Sequence, residues 1–245
     1  MIVFAGPSVA GVDRDAYPGL RFHPPARQGD VWRAVQDAPT AIGIIDGFFE
    51  GVPAIWHKEI LWALHEGVPV LGASSMGALR AAEMDAFGMI GVGRIFRWYR
   101  DGVIEDDDEV ALVHGPEEIG SPALSLPMVN VRATAEAAIA AGNPIGDLIS
   151  VAKAQFYKAR TWNSVLEGSD LTAETADWVR ANAIDQKQLD AIALLERMVV
   201  GDLVQPEISE PFEHTNLWAR AVQDWRHMKK CDTPLGEERL LNRRN

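Results

Sequence analysis

A chain of 245 residues and 26.8 kDa, 47% hydrophobic and 24% charged, has the composition of a globular protein large enough to bury a sizeable core. Thirty-five acidic against 23 basic residues leave a net charge of −12, which argues against nucleic acid as a partner and leaves room for a basic protein or peptide. A single cysteine, Cys231, excludes an intramolecular disulfide and cysteine-rich metal centres. Residues 1–5 are apolar but run into Gly6-Pro7, and no apolar run approaches the length of about 18 residues that a membrane span needs. The expectation is a cytoplasmic protein with neither signal peptide nor membrane span.

Residues 2–5 are β-branched and aromatic and read as a buried strand that ends in a loop at Gly6-Pro7-Ser8. Residues 13–28 have no clear period, with at most a short strand at 19–23, and residues 29–37 then carry Val31, Trp32 and Val35 at helical spacing. The run TAIGIIDGFF at 40–49 predicts an apolar strand closed by an Asp46-Gly47 turn. A helix follows at 56–65 with Gly67 as its stop, then a strand at 68–71, a turn through Gly72 and Ala73, and a helix from Met76 to Glu83. Buried strands alternating with helices predict parallel pairing through right-handed crossovers, which gathers functional groups at the carboxyl ends of the strands. Ser8, Asp46 and Ser75 all fall there.

Residues 87–93 are glycine-rich, 94–100 predict a short helix, and EDDDE at 105–109 precedes an expected strand at 110–113. From Met128 the composition turns helical, with helices predicted over 129–141, 145–157, 172–183, 186–200 and 215–227, a proline break at 206–211 and a polar tail from 229. The predicted architecture is α/β: a small, mostly parallel sheet with flanking helices over 1–127, then an α-helical region and polar tail over 128–245.

Among motifs that carry chemistry, no phosphate-cradling P-loop occurs, Gly91-Val92-Gly93 lacks the third glycine of a dinucleotide site, and the six histidines form no H-x-x-x-H pair. The acidic run offers oxygen ligands for a hard cation, but its spacing fits no cation loop and reads as a solvated face or a surface for a basic partner. No cofactor or metal is expected. The remaining candidate is Ser74-Ser75. Ala73 and Gly77 flank Ser75 in the small-x-Ser-x-small spacing that bends a strand sharply into a helix, and the helix N–H groups of Met76 and Gly77 would stabilise negative charge beside its hydroxyl. The competing reading makes Ser74 an ordinary N-cap. A serine nucleophile needs a base, and His57 and Lys58 open the helix that leads back to its strand. Lysine serves only if burial and dipoles lower its pKa by roughly 3. The helix period sets Lys58 opposite the apolar face of Trp56, Ile60, Ala63 and Leu64, facing solvent.

The blocks PPARQGDVW (24–32), IGIIDGFFE (42–50), WHKEI (56–60), SMGALRAAEM (75–84), FGMIGVGRIF (87–96) and EDDDEVALVHGP (105–116), together with MVNVRAT (128–134), resemble the TfuA-like family in order over about the first 135 residues. The resemblance implies an accessory protein that binds a YcaO enzyme and supports backbone thioamidation of a precursor peptide. It further implies a Ser–Lys hydrolase that cleaves the thiocarboxylated C-terminus of a ThiS-type sulfur carrier, ATP being used by the YcaO partner. Carried onto this chain, it makes Ser75 the nucleophile and Lys58 the base, with His57 as competing base and Ser74 as competing hydroxyl. The oxyanion donors would be Met76 or Gly77, with Gly47 or the 6–8 loop including Ser8, and Asp46 would orient the base or bind the carrier tail. Two other readings stand beside it. One is a docking protein without chemistry that uses the acidic run, Trp98 and Tyr99 as interface, and the other is a stand-alone Ser–Lys amidase or esterase. The role of the helical half and a homo-oligomeric state are left open.

Overall fold

The computed structural model describes residues 1–201, 203 and 211–227; Cys231, the polar tail and most of the expected 206–211 break lie outside them. Five strands, β1 (Ile2–Phe4), β2 (Arg21–His23), β3 (Ile42–Ile44), β4 (Val70–Gly72) and β5 (Ile90–Gly91), form one all-parallel sheet in the order β2-β1-β3-β4-β5. Its register aligns Ile2 with Ile42 and Ile42 with Val70. The order reverses between β1 and β3, and in open parallel sheets the crevice outside the carboxyl ends at such a reversal is where ligands bind.

The strands are short apolar runs because both sheet faces are covered. Ile2, Phe4, Ile42, Ile44 and Val70 point into a core closed by α1 (Asp30–Gln36), α2 (His57–His65), α3 (Met76–Met84), α4 (Gly93–Arg100) and α5 (Met128–Ala140). Val3, Ile45 and Leu71 point the other way, against Ala191, Leu194, Leu195 and Met198 of α9 (Gln186–Val200). That helix lies so close that a Cβ on Gly43 would come within 2.5 Å of Met198 Sδ. The helical half therefore completes the core of the sheet, while α6 (Leu148–Ala154), α7 (Trp162–Gly168) and α8 (Ala173–Ala181) build a satellite cluster with α5. Finally α10 (Asn216–His227) brings Trp218 and Trp225 onto Trp32.

Three local expectations are corrected. Residues 110–113 join no sheet: Val113 N–H bonds to Ser125 Oγ, and only an isolated antiparallel bridge links His114 to Ala123. The glycine-rich stretch instead hides the edge strand β5, paired to Leu71 and Gly72. The helix expected over 145–157 spans only Leu148–Ala154, because the chain turns at Gln155 toward Arg160, and α7 follows as a separate helix capped by Thr161.

Candidate active site

The turn from β4 into α3 is tight. Ser74 adopts a left-handed φ of 67°, uncommon for a residue with a side chain, and Ser75 N–H bonds to Ala73 O at 2.9 Å. The left-handed step turns the two hydroxyls to different tasks. Ser74 Oγ donates to Ser8 Oγ at 2.9 Å, Ser8 Oγ donates to Asp46 Oδ1 at 2.7 Å, and Asp46 Oδ2 accepts from Gly6 N–H and Ser8 N–H at 2.8 and 3.1 Å. Asp46 thus pins the loop after β1 to the loop after β3, and Ser74 ties the β4 turn to both. Ser75 stands at the N-cap of α3 but caps nothing with its side chain.

The Ser75 hydroxyl is met by Lys187. Lys187 Nζ lies 3.0 Å from Ser75 Oγ and 2.7 Å from the carbonyl oxygen of Val110, and its side chain is buried. Burial pushes the Lys187 pKa down from its ordinary value, against the opposing charges of Asp46 and Asp185. Lys187 also sits in the first turn of α9, where the positive end of the helix dipole disfavours an ammonium. Its own backbone N–H bonds to Asn130 Oδ1 of α5 at 3.3 Å. Both residues line a cleft of about 220 Å3, walled by Gly47, Phe49, Val110, His114 and Tyr157. Burial makes the neutral amine easier to reach, and a neutral amine beside a hydroxyl can take the hydroxyl proton, which is what makes serine a nucleophile.

Donors for a developing oxyanion separate clearly. Gly77 N–H is engaged with Ile45 O at 3.2 Å, so Gly77 is not the free donor that the sequence reading offered. Its service is steric: a Cβ there would sit 1.8 Å from Ile44 O. Met76 N–H and Gly47 N–H have no hydrogen-bond partner among the described residues, and Gly47 faces the cleft.

The expected bases lie elsewhere. Lys58 Nζ bonds to Thr215 Oγ1 at 3.3 Å and stands 5.3 Å from the centroid of Phe212, turned into the aromatic cluster that Trp62 and Trp218 form around it. The reason is the helix period: Ile60, Ala63 and Leu64 take the face of α2 toward the sheet, and Lys58 leaves on another. His57 Nε2 pairs with Glu83 at 2.8 Å on the surface. The acidic run is not a solvated face along its length either. Glu109 is 2% exposed and grips Arg132 through two 2.8 Å bonds. The carboxylates of Asp106, Asp108 and Glu109 come together, but Lys153 Nζ already sits among them at 2.9, 2.5 and 2.9 Å. Trp98, expected at an interface, is buried in the core, and Tyr99 O–H is bonded to Asp106 O at 2.9 Å. Lys187 escaped the sequence reading because 112 residues separate it from Ser75. One signal was present: a lysine in the first turn of a helix opposes the dipole.

This is a doubly wound α/β protein with a serine paired to a buried lysine at the carboxyl edge of its sheet. The TfuA-like protein family model matches residues 46–161, and over that stretch the chain is similar to that family. Asp46, Ser75 and Val110 lie inside the matched stretch and Lys187 outside it. At the level of the family, the match supports a role associated with YcaO-type thioamidation. A search of curated proteins found no match.

Proposed function

We propose that this protein is a Ser–Lys hydrolase acting for a YcaO enzyme, with the thiocarboxylated C-terminus of a ThiS-type carrier protein as its substrate and Lys187 as its base. The observation that carries this reading is the 3.0 Å contact between Ser75 Oγ and a buried lysine whose pKa is depressed. The family match supplies the thioamidation setting. A protein substrate suits the rim of the cleft, where Phe156, 65% exposed, packs 4.8 Å from the ring of cleft-lining Tyr157.

In the first step neutral Lys187 takes the Ser75 proton while Ser75 Oγ bonds to the carbonyl carbon of the thiocarboxylate. Met76 and Gly47 N–H groups hold the oxyanion. The carbon–sulfur bond then breaks, and Lys187 passes the proton to the departing sulfur, which leaves as hydrosulfide. In the second step Lys187 takes a proton from water as the water attacks the ester. The lysine returns that proton to Ser75, and the carrier departs as a carboxylate with net release of one proton. Sulfide set free beside a bound YcaO enzyme would reach the activated peptide directly.

The test is to incubate the protein with a thiocarboxylated carrier and follow conversion to the carboxylate by intact mass. Turnover by the wild type and none by Ser75→Ala supports the reading. No turnover by the wild type refutes it, and turnover of simple esters without turnover of the carrier favours a stand-alone esterase.

A further inference from the structure

Lys187 Nζ has two partners, and the second, Val110 O, lies in a segment without sheet neighbours. A neutral amine has two N–H bonds and one lone pair. With one N–H committed to Val110 O, the lone pair can face Ser75, and once the proton has moved the same carbonyl accepts from the ammonium. The position of this one carbonyl therefore governs both the aim of the base and the stability of its protonated form. No strand ladder fixes it. Upstream, Val110 N–H bonds to Asp107 O at 3.3 Å, closing the short turn Asp107–Glu109.

That turn is held by three cations from three places in the helical half. Arg132 of α5 binds Glu109 in a two-bond fork, and Lys153 of α6 bridges Asp108 and Glu109. Arg160, fully buried, binds Asp108 at 3.1 Å and spends its other donors on the carbonyls of Ala152, Leu126 and Gln155. A planar guanidinium with donors used in several directions is a rigid anchor.

We propose that this clamp is a positioning device for the reaction: Glu109 and Asp108, gripped by Arg132, Lys153 and Arg160, set the Val110 carbonyl that aims Lys187 at Ser75. The acidic run thus serves the active site without touching substrate. The proposal rests on the Ser75–Lys187 pair acting as nucleophile and base.

The test uses the full-length protein, a fluorophosphonate that labels nucleophilic serines, and intact mass to give the rate of Ser75 labelling against pH. Glu109→Gln removes a negative charge from the clamp and Arg132→Gln a positive one; Lys153→Gln is a milder variant should either fold poorly. Two charged groups, Asp46 and Asp185, act on Lys187, while its contacts from α5 and the 110 segment, Asn130 and Val110 O, are uncharged. A purely Coulombic effect would move the pH limb of labelling in opposite directions in Glu109→Gln and Arg132→Gln. Loss of the carbonyl acceptor weakens the ammonium in both, so the limb moves to lower pH in both and the plateau rate falls at least tenfold, with the fold intact by circular dichroism. Limbs that stay in place, limbs that move in opposite directions, or a plateau that falls only with the folded fraction overturn the clamp. Equal labelling of wild type and Lys187→Met overturns the Ser75–Lys187 pair itself, and the clamp with it.

Discussion

Replacing Lys187 by methionine separates catalysis from stability. Methionine fills much of the same volume without the amine, so the Ser75 hydroxyl keeps its place and loses its proton acceptor. General-base assistance contributes roughly 10²–10⁴-fold, so kcat for carrier hydrolysis should fall by that factor, about 3–5.5 kcal/mol of barrier, with KM little changed. Stability should move the other way. The depressed Lys187 pKa means that the folded protein binds fewer protons at this site than the unfolded chain between the folded value and the ordinary 10.5. Stability from this group therefore rises with pH across that window, and at neutral pH the buried lysine is a cost. The methionine variant should lose that rise and match or exceed the wild-type melting temperature at pH 7. Intact-mass kinetics on the thiocarboxylated carrier and thermal melts from pH 6 to 10 check both halves. A variant that turns over like the wild type, or a Lys58→Met variant that is the inactive one, refutes the assignment.

Ser75→Ala should abolish turnover, whereas Ser74→Ala loses one buried hydrogen bond to Ser8, about 1 kcal/mol, and keeps turnover within roughly tenfold; urea melts and carrier kinetics read the two. Gly77→Ala drives a Cβ to 1.8 Å from Ile44 O, a backbone atom that cannot swing aside, and should destabilise by about 3 kcal/mol or more, seen as a lowered urea midpoint or loss of soluble protein. Glu59 is buried and has its pKa raised to about 7 by desolvation, despite accepting from the N–H groups of Gly29, Trp56 and Trp32. Its folded value lies above its unfolded one of 4.5, so its contribution is full below 4.5 and is lost as pH rises through about 7. Wild-type melting temperature should decline across that window and the Glu59→Gln curve should be flatter; parallel curves would contradict the raised value.

Local and periodic features of the chain were readable in advance because neighbours in sequence set them. Apolar runs of β-branched residues broken by Gly6-Pro7, Asp46-Gly47 and Gly72-Ala73 announced β1, β3 and β4, and the alternation with helices announced parallel order. Ser75 was eligible from its small flanking residues, and the period of α2 set Lys58 off the apolar face toward solvent, whereas the structure covers it with Phe212 and Thr215 from a segment distant in sequence. The edge strand β5 was not readable, since two residues in a glycine-rich stretch carry no alternation. The apolar run at 110–113 read as a strand, but its partner is the active-site cleft.

The sequence by itself determined a parallel α/β core, a serine at a strand-to-helix turn and a resemblance to the TfuA-like family over part of the chain. Tertiary structure decided what stands beside that serine. Ser75 and Lys187 are 112 residues apart, and α9 must pack across the second face of the sheet before the lysine is buried, its pKa lowered, and within reach. Pattern along a helix reports which face is apolar, not which hydroxyl lies across the gap, and a lysine becomes a base only when its surroundings have excluded water.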